Sequence, residues 1–354
     1  MNYQYFSKAV IVIIAFICIG TSCTKTTPEE IPEPVKSNNE ITPTPVKIKL
    51  GATPYFSNTI FLIAEKEGFF AEQGLDVEII PIKSINNIIP MLLNEDIDVS
   101  APGLSAAFFN AVSRGGNIKI IMPLTDFTVK ECSTIAYLAR TEDVEANTYD
   151  DLRNWTKARM VVSINGLNST PGYVLGNALA TVDLTVDDVQ IEVVDLPAQE
   201  EALRTGQIDI VYAVEPWITR MTAQGDISIL TPAEQYAPDL TSSIVVAGPK
   251  ILDNPDVGNR FAIAYLKAVR QFMEGPTERN IALAVEHTGL SKELVEQICW
   301  SNTSPNGVMN MDSLMDYKNW LIDRGLLDED VIPEKFYDSS FVDHAVQIIG
   351  TINP

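Results

Sequence analysis

Four turns carry the side chains that could do chemistry. Tyr55, Phe56 and Asn58 stand together after a predicted first strand, and Ser105 opens an apolar helical stretch. Asn165, Ser169, Thr170 and Tyr173 crowd a third turn, and Glu215 and Trp217 flank Pro216 in a fourth. Phe127 adds another ring. Rings stack on a solute, amides and hydroxyls read its polar edge, and a carboxylate accepts an N–H. The set lacks a nucleophile with its base. Both histidines, His287 and His344, lie in the C-terminal part, and no Gly-x-Ser-x-Gly elbow occurs. Two histidines far from any Cys motif argue against a zinc site, so neither a metal nor a cofactor is expected. Ser169 and Thr170 read equally well as helix caps, and Glu215 as a partner of loop backbone. Phe108 and Phe109 read as core.

Positioning such turns requires regular elements. Lys47–Ala52, Val77–Ile82, Ile97–Ser100 and Ile118–Met122 have strand patterns, with helical stretches at Thr59–Phe69, Asn86–Asn94 and Ala106–Arg114 between them. The pattern restarts with strands at Ala158–Ile164, Ile191–Leu196 and Ile208–Ala213 and helices at Tyr173–Thr181 and Gln199–Thr205. Alternation of this kind predicts an α/β fold with mostly parallel sheets. The phrase Ile97-Asp98-Val99 returns as Ile208-Asp209-Ile210, each after a helix and a turn, which predicts two similar lobes. Ser133–Ala139 and Ser242–Ala247 are extended stretches suited to a two-strand hinge between them. Ligands of open α/β sheets sit outside the carboxyl ends of the strands, so facing lobes make a cleft. The expected division is 47–132 with 248–354 as lobe 1 and its C-terminal helices, and 133–247 as lobe 2 with the hinge strands.

The chain has 354 residues, enough for two such lobes, and a net charge of −22. That excess of acid disfavours nucleic acid and a polybasic grip on lipid. Lys8 precedes a twelve-residue apolar run, Ala9–Gly20, too short to span a bilayer and suited to an export signal. Gly20-Thr21-Ser22-Cys23 resembles the end of a bacterial lipoprotein signal, which implies a signal peptide at 1–22 and lipidation (palmitate) of Cys23. The alternative is an ordinary signal peptide cleaved near Ser22. Residues 23–46 are Pro-rich and polar, the composition of a tether. Of the two later cysteines, Cys132 and Cys299, each is expected to sit alone in the core rather than to pair.

Glu65–Val77 (EKEGFFAEQGLDV) is similar to a phrase of ABC-importer substrate-binding proteins for nitrate, sulfonates, taurine and thiamine precursors. So are Gly166-x-x-Ser169-Thr170-x-Gly172-Tyr173 and Val214-Glu215-Pro216-Trp217. The resemblance covers Lys47 to Ala247 and implies a periplasmic-binding-protein fold of type II-like form. It also implies a small-molecule ligand between the lobes, a permease and its ATPase as partners, a monomer, and a place outside the cytoplasmic membrane, held by the lipid anchor. The matching phrase places Trp217 near the cleft. No Lys or Arg occurs in 53–58, 102–109 or 165–173. A sulfonate or nitrate receptor would be expected to use a cation. Rings, amides and one carboxylate suit instead a neutral, planar, nitrogen-rich vitamin or precursor, riboflavin or the thiamine pyrimidine. A sulfonate, taurine or nitrate receptor is the alternative within the family. A pyrimidine-synthesising enzyme or a sensor is the alternative of another class, although the cysteine-rich motif of the fungal pyrimidine enzymes does not occur.

Overall fold

Two aspartates show how the strands are set in register. In the computed structural model, which describes residues 44–127, 132–161, 166–192, 194 and 196–352, Asp98 accepts from Lys49 N at 2.7 Å and returns its own N–H to Lys49 O at 2.8 Å. Asp209 does the same with Arg159, accepting at 2.9 Å and donating at 2.8 Å. Each aspartate therefore pins the last strand of a parallel trio to the first. Each is also charge-paired, Asp98 with Lys250 and Asp209 with Arg140 and Arg159. The internal echo of the sequence is thus one structural device used twice.

The first sheet holds β1 (Val46–Ala52), β2 (Leu75–Pro81), β3 (Val99–Ser100), β4 (Lys119–Asp126) and, from far along the chain, β10 (Thr241–Ala247). Its order is β2-β1-β3-β10-β4, with β10 antiparallel to both neighbours. The second sheet holds β5 (Ile135–Arg140), β6 (Arg159–Val161), β7 (Gln190–Ile191), β8 (Ile210–Val214) and β9 (Ile227–Pro232). Its order is β7-β6-β8-β5-β9, with β5 antiparallel to both neighbours. The two sheets share one topology, and each receives its fourth strand by exchange from the other half of the chain. This is the two-lobe α/β architecture of periplasmic solute-binding proteins.

Three details differ from the sequence reading. The stretch 242–247 lies within the first sheet, so it belongs by its hydrogen bonds to lobe 1 rather than lobe 2. The crossing is made by the segments between β4 and β5 and between β9 and β10. Among the described residues, Phe127 N donates to Leu240 O at 2.8 Å, Asp239 N to Phe127 O at 3.1 Å, and Ala233 N to Ile135 O, at the start of β5, at 3.0 Å. Second, Leu196 begins the helix Leu196–Arg204 rather than ending a strand; Pro197 suits a first helical turn because it has no N–H to leave unpaired. Third, Cys132 and Cys299 form a disulfide. Chain separation, 167 residues, hid the pairing, since only the folded crossover brings the two together.

The core of lobe 1 is closed by Pro255–Phe272 and Ser340–Ile349, whose apolar faces cover the sheet through Phe261, Tyr265, Phe272 and Phe341. Burying each such ring contributes about 2–3 kcal/mol. The helix Met311–Asp323 was expected with lobe 1, yet it touches both lobes. Tyr317 packs on Phe109 of lobe 1 and on Tyr173 of lobe 2.

Candidate functional site

The lobes close on a cavity of about 140 Å³ at the carboxyl ends of the strands. From lobe 1 come Tyr55 and Asn58 in the turn after β1, Phe127 and Asp126 after and at the end of β4, and Ser242 and Ser243 on β10. From lobe 2 come Ser169 and Thr170 at the start of the helix Thr170–Ala180, Gln199, Tyr212 on β8, and Glu215 just beyond it. Thr134 and Ile135 line it from the crossover. A second cavity, about 310 Å³, shares Ile85 and Gly103 with the first and is lined also by Asn86, Ser105, Asn110 and Asn168.

Six of the residues singled out in the sequence therefore meet at the inner cavity: Tyr55, Asn58, Phe127, Ser169, Thr170 and Glu215. Asn58 is held by its own turn, its Oδ1 accepting from Thr53 N at 3.1 Å. Tyr55 is half-buried, and desolvation pushes its phenol up to about 12. Its carbonyl accepts from His287 Nε2 at 3.0 Å, so His287, distant in sequence, buttresses the turn from behind. Burial holds that imidazole below its usual value.

The other candidates go elsewhere. Phe56 is fully buried against Phe272 and Trp300, with ring centroids 5.7 and 4.9 Å away. Ser105 lines the outer cavity and bridges to Ser169. Tyr173 turns from the cavity onto Tyr317 and Trp320. Trp217 starts the helix Trp217–Thr222 and lies under the Arg220 guanidinium at 4.9 Å, since residues three apart share a helix face. Asn165 and Cys23 lie outside the described residues.

The third turn is built for close approach. A Cβ on Gly172 would stand 2.2 Å from Leu167 O, so only glycine lets the loop fold back onto its own helix there. That places Thr170 against lobe 1. Thr170 N donates to Leu104 O at 3.1 Å, and Thr170 Oγ1 lies 3.3 Å from both Leu104 O and Ser242 O. Ala106 N donates back to Asn168 O at 2.9 Å, and Tyr317 Oη to Leu104 O at 3.2 Å. Neither Ser169 nor Thr170 acts as a side-chain cap: the Ser169 hydroxyl donates to Gly166 O at 3.2 Å.

Glu215 faces the cavity but is already occupied. Its Oε2 accepts from Thr219 N at 3.1 Å, and its Oε1 accepts from Thr219 Oγ1 at 2.9 Å and Cys299 N at 3.3 Å. Its backbone carbonyl accepts from Phe56 N at 3.2 Å. Burial pushes the carboxyl up to about 7 in spite of these donors. Asp126 differs. Its Oδ1 accepts from Thr241 Oγ1 at 2.6 Å, and no donor reaches Oδ2 among the described residues. Desolvation, with Asp239 nearby, raises it to about 6.

Asp126, Gln199 and Tyr212 escaped the sequence reading. Asp126 ends a strand, where cleft residues of such sheets belong. Gln199 and Tyr212 lie inside regular elements and carry no comparable signal. The described lining contains no Lys, Arg or His. Among the described residues no group of three or more His, Cys, Asp or Glu is placed to hold a metal ion, and no helix is long and apolar enough to cross a membrane.

A family model described as the NMT1-like family matches residues 42–286. The chain belongs to that family. In fold it is similar to a ligand-binding component of an ABC-type import system from Staphylococcus aureus, solved with zinc bound (TM-score 0.69, 15% identity, 85% of this chain and 99% of that one). It is similar also to the periplasmic nitrate-binding protein NrtA from Synechocystis (TM-score 0.68, 13% identity, 86% and 89%). The desulfurization enzyme DszB shares the architecture as well (TM-score 0.61, 14% identity, 86% and 99%). No curated protein sequence matches the chain.

Proposed function

We propose that this protein is the solute-binding component of an ABC importer, working outside the cytoplasmic membrane and tethered by a lipid on Cys23 through residues 23–46. It captures a small, neutral heteroaromatic vitamin or precursor between its lobes and delivers it, as a monomer, to a permease driven by an ATPase. One observation carries the choice of ligand: the cleft presents hydroxyls, amides and two carboxylates, Asp126 and Glu215, with no cation among its described lining. An oxyanion such as nitrate or a sulfonate would meet uncompensated negative charge there. Tyr55, Phe127 and Tyr212 offer ring faces.

The receptor reading is favoured over an enzyme on the same architecture by the state of the reactive groups. Cys132 and Cys299 are bonded to each other, and the His287 ring is spent on a backbone carbonyl. A solute stabilises closure only if it touches both lobes.

Titration calorimetry with the thiamine pyrimidine, riboflavin, taurine and nitrate, at low and high salt, tests the proposal. A heteroaromatic is expected to bind with less than about a threefold change in affinity across the salt range, because a neutral ligand is not screened. Retention of nitrate or taurine with a steep loss at high salt would overturn it.

A further inference from the structure

The two carboxylates of the cleft are not equivalent, and the difference assigns a role. Glu215 has three donors from its own chain on its two oxygens. Among the described residues Asp126 has one, Thr241 Oγ1, on Oδ1. Asp126 makes no ion pair among the described residues, so no cation there neutralises it. Across the cavity stands a second open acceptor. Gln199 is 1% exposed, its Nε2 is committed to Val194 O at 2.8 Å, and its Oε1 has no partner among the described residues. A buried acceptor without a donor is costly, and the cost is recovered when a ligand supplies the missing hydrogen. Asp126 of lobe 1, half-buried and with Oδ2 free of any donor among the described residues, and the buried Gln199 oxygen of lobe 2 line the same cavity.

We infer that Asp126 is the specificity-determining residue of the cleft: it accepts a hydrogen bond from an N–H of the solute, with Gln199 as a second acceptor from the opposite lobe. The inference rests on the functional reading above and deepens it. The solute is then selected for its donor groups, and a molecule of the same shape that offers only acceptors is rejected. Selection of this sort is strong, because a site built to hydrogen-bond a group leaves its own buried atoms unpaired when the group is missing. Burial raises the Asp126 carboxyl only to about 6, so at pH 7.5 it remains a charged acceptor. Thr241 orients it, and Thr241 in turn sits on β10, the strand contributed to this sheet from the far side of lobe 2.

The test takes whichever heteroaromatic, the thiamine pyrimidine or riboflavin, the wild-type protein binds. The same solute with its N–H-bearing group blocked by methyl is titrated beside it. The wild type is expected to bind the blocked analogue at least about tenfold more weakly. Asp126→Asn keeps an oxygen for Thr241 but turns a donor toward the solute, and is expected to weaken binding by about twentyfold without lowering the thermal transition, since it removes a desolvated charge. Equal affinity of the wild type for the parent and the blocked analogue overturns the assignment, and this readout does not depend on a variant folding. A folded Asp126→Asn protein with undiminished affinity overturns it too, while leaving the heteroaromatic reading intact. Binding of nitrate or taurine in preference to both heteroaromatics removes the functional reading itself and the assignment with it.

Discussion

The lobes meet along two seams made of different chemistry. On the crossover side, backbone hydrogen bonds are reinforced by a disulfide and by buried acids. Cys132 is bonded to Cys299, Glu215 grips Cys299 N, and Glu234 Oε1 accepts from Thr134 N, Thr134 Oγ1 and Ile135 N at 2.7, 3.1 and 3.0 Å. On the far side, Leu104–Ala106 and Asn168–Thr170 meet through neutral hydrogen bonds, most of them backbone to backbone. A neutral hydrogen bond contributes about 1 kcal/mol net, since water replaces it when it opens. The far seam is therefore worth a few kcal/mol, a quantity that a micromolar ligand, worth about 8 kcal/mol, can tip. One seam is built to stay and the other to open and close.

The largest effect is expected from cutting the permanent seam. Cys132→Ser with Cys299→Ser removes a cross-link between segments 167 residues apart. In the chain-entropy account that lowers stability by about 5 kcal/mol. Calorimetric scans of the double variant, and of the wild type with and without reductant, should show a transition several degrees lower. An unchanged transition would mean that the crossover segments hold by themselves.

The next-largest effect is expected at Glu215. Its folded value is raised from 4.5 to about 7, so the folded protein binds this proton more tightly than the unfolded chain does. Stability from this group is therefore greatest below about pH 4.5 and is lost as pH rises toward 7, by on the order of 3 kcal/mol. Glu215→Gln should flatten the stability profile between pH 5 and 7 relative to wild type. Asp126, shifted in the same direction, leaves a residual slope in both proteins, and the difference between them isolates Glu215. Urea midpoints across that range are the measurement, and parallel profiles would deny the carboxyl its buried place in the seam.

How far these seams were legible in the sequence follows from what each is made of. Asp98 and Asp209 announced the repeated lobe, because the device that pins a strand is local and needs its acid at a fixed offset from a helix end. The turns Tyr55–Asn58 and Ser169–Thr170 were found because turns carry polar residues for a visible reason. The orientation of a ring was not legible. Phe56, Tyr173 and Trp217 each sit one or two residues from a cavity residue, yet helix geometry turns them toward Trp300, Trp320 and Arg220. Asp126 and Gln199 were missed for the opposite reason. Their importance lies in the donors they lack, and a missing partner appears only when the surrounding atoms are placed.

The smallest effect on stability is expected at the opening seam, where it should appear instead in shape. Thr170 Oγ1 lies within hydrogen-bond distance of Leu104 O and Ser242 O, both in lobe 1, while the Thr170 backbone bond to Leu104 O survives substitution. Thr170→Val preserves the shape of the side chain and deletes one donor, a loss of about 1 kcal/mol borne by the closed form alone. The open form keeps its lobes intact, so the thermal transition should move by no more than a degree or two. Ligand affinity should fall by about fivefold, and the radius of gyration of the ligand-free protein from X-ray scattering should increase. Trp217→Ala, whose ring lies against Arg220 and lines neither cavity, should leave that radius and the affinity as they are. A Thr170→Val protein whose scattering and affinity match the wild type would show that the far seam does not set the balance between open and closed.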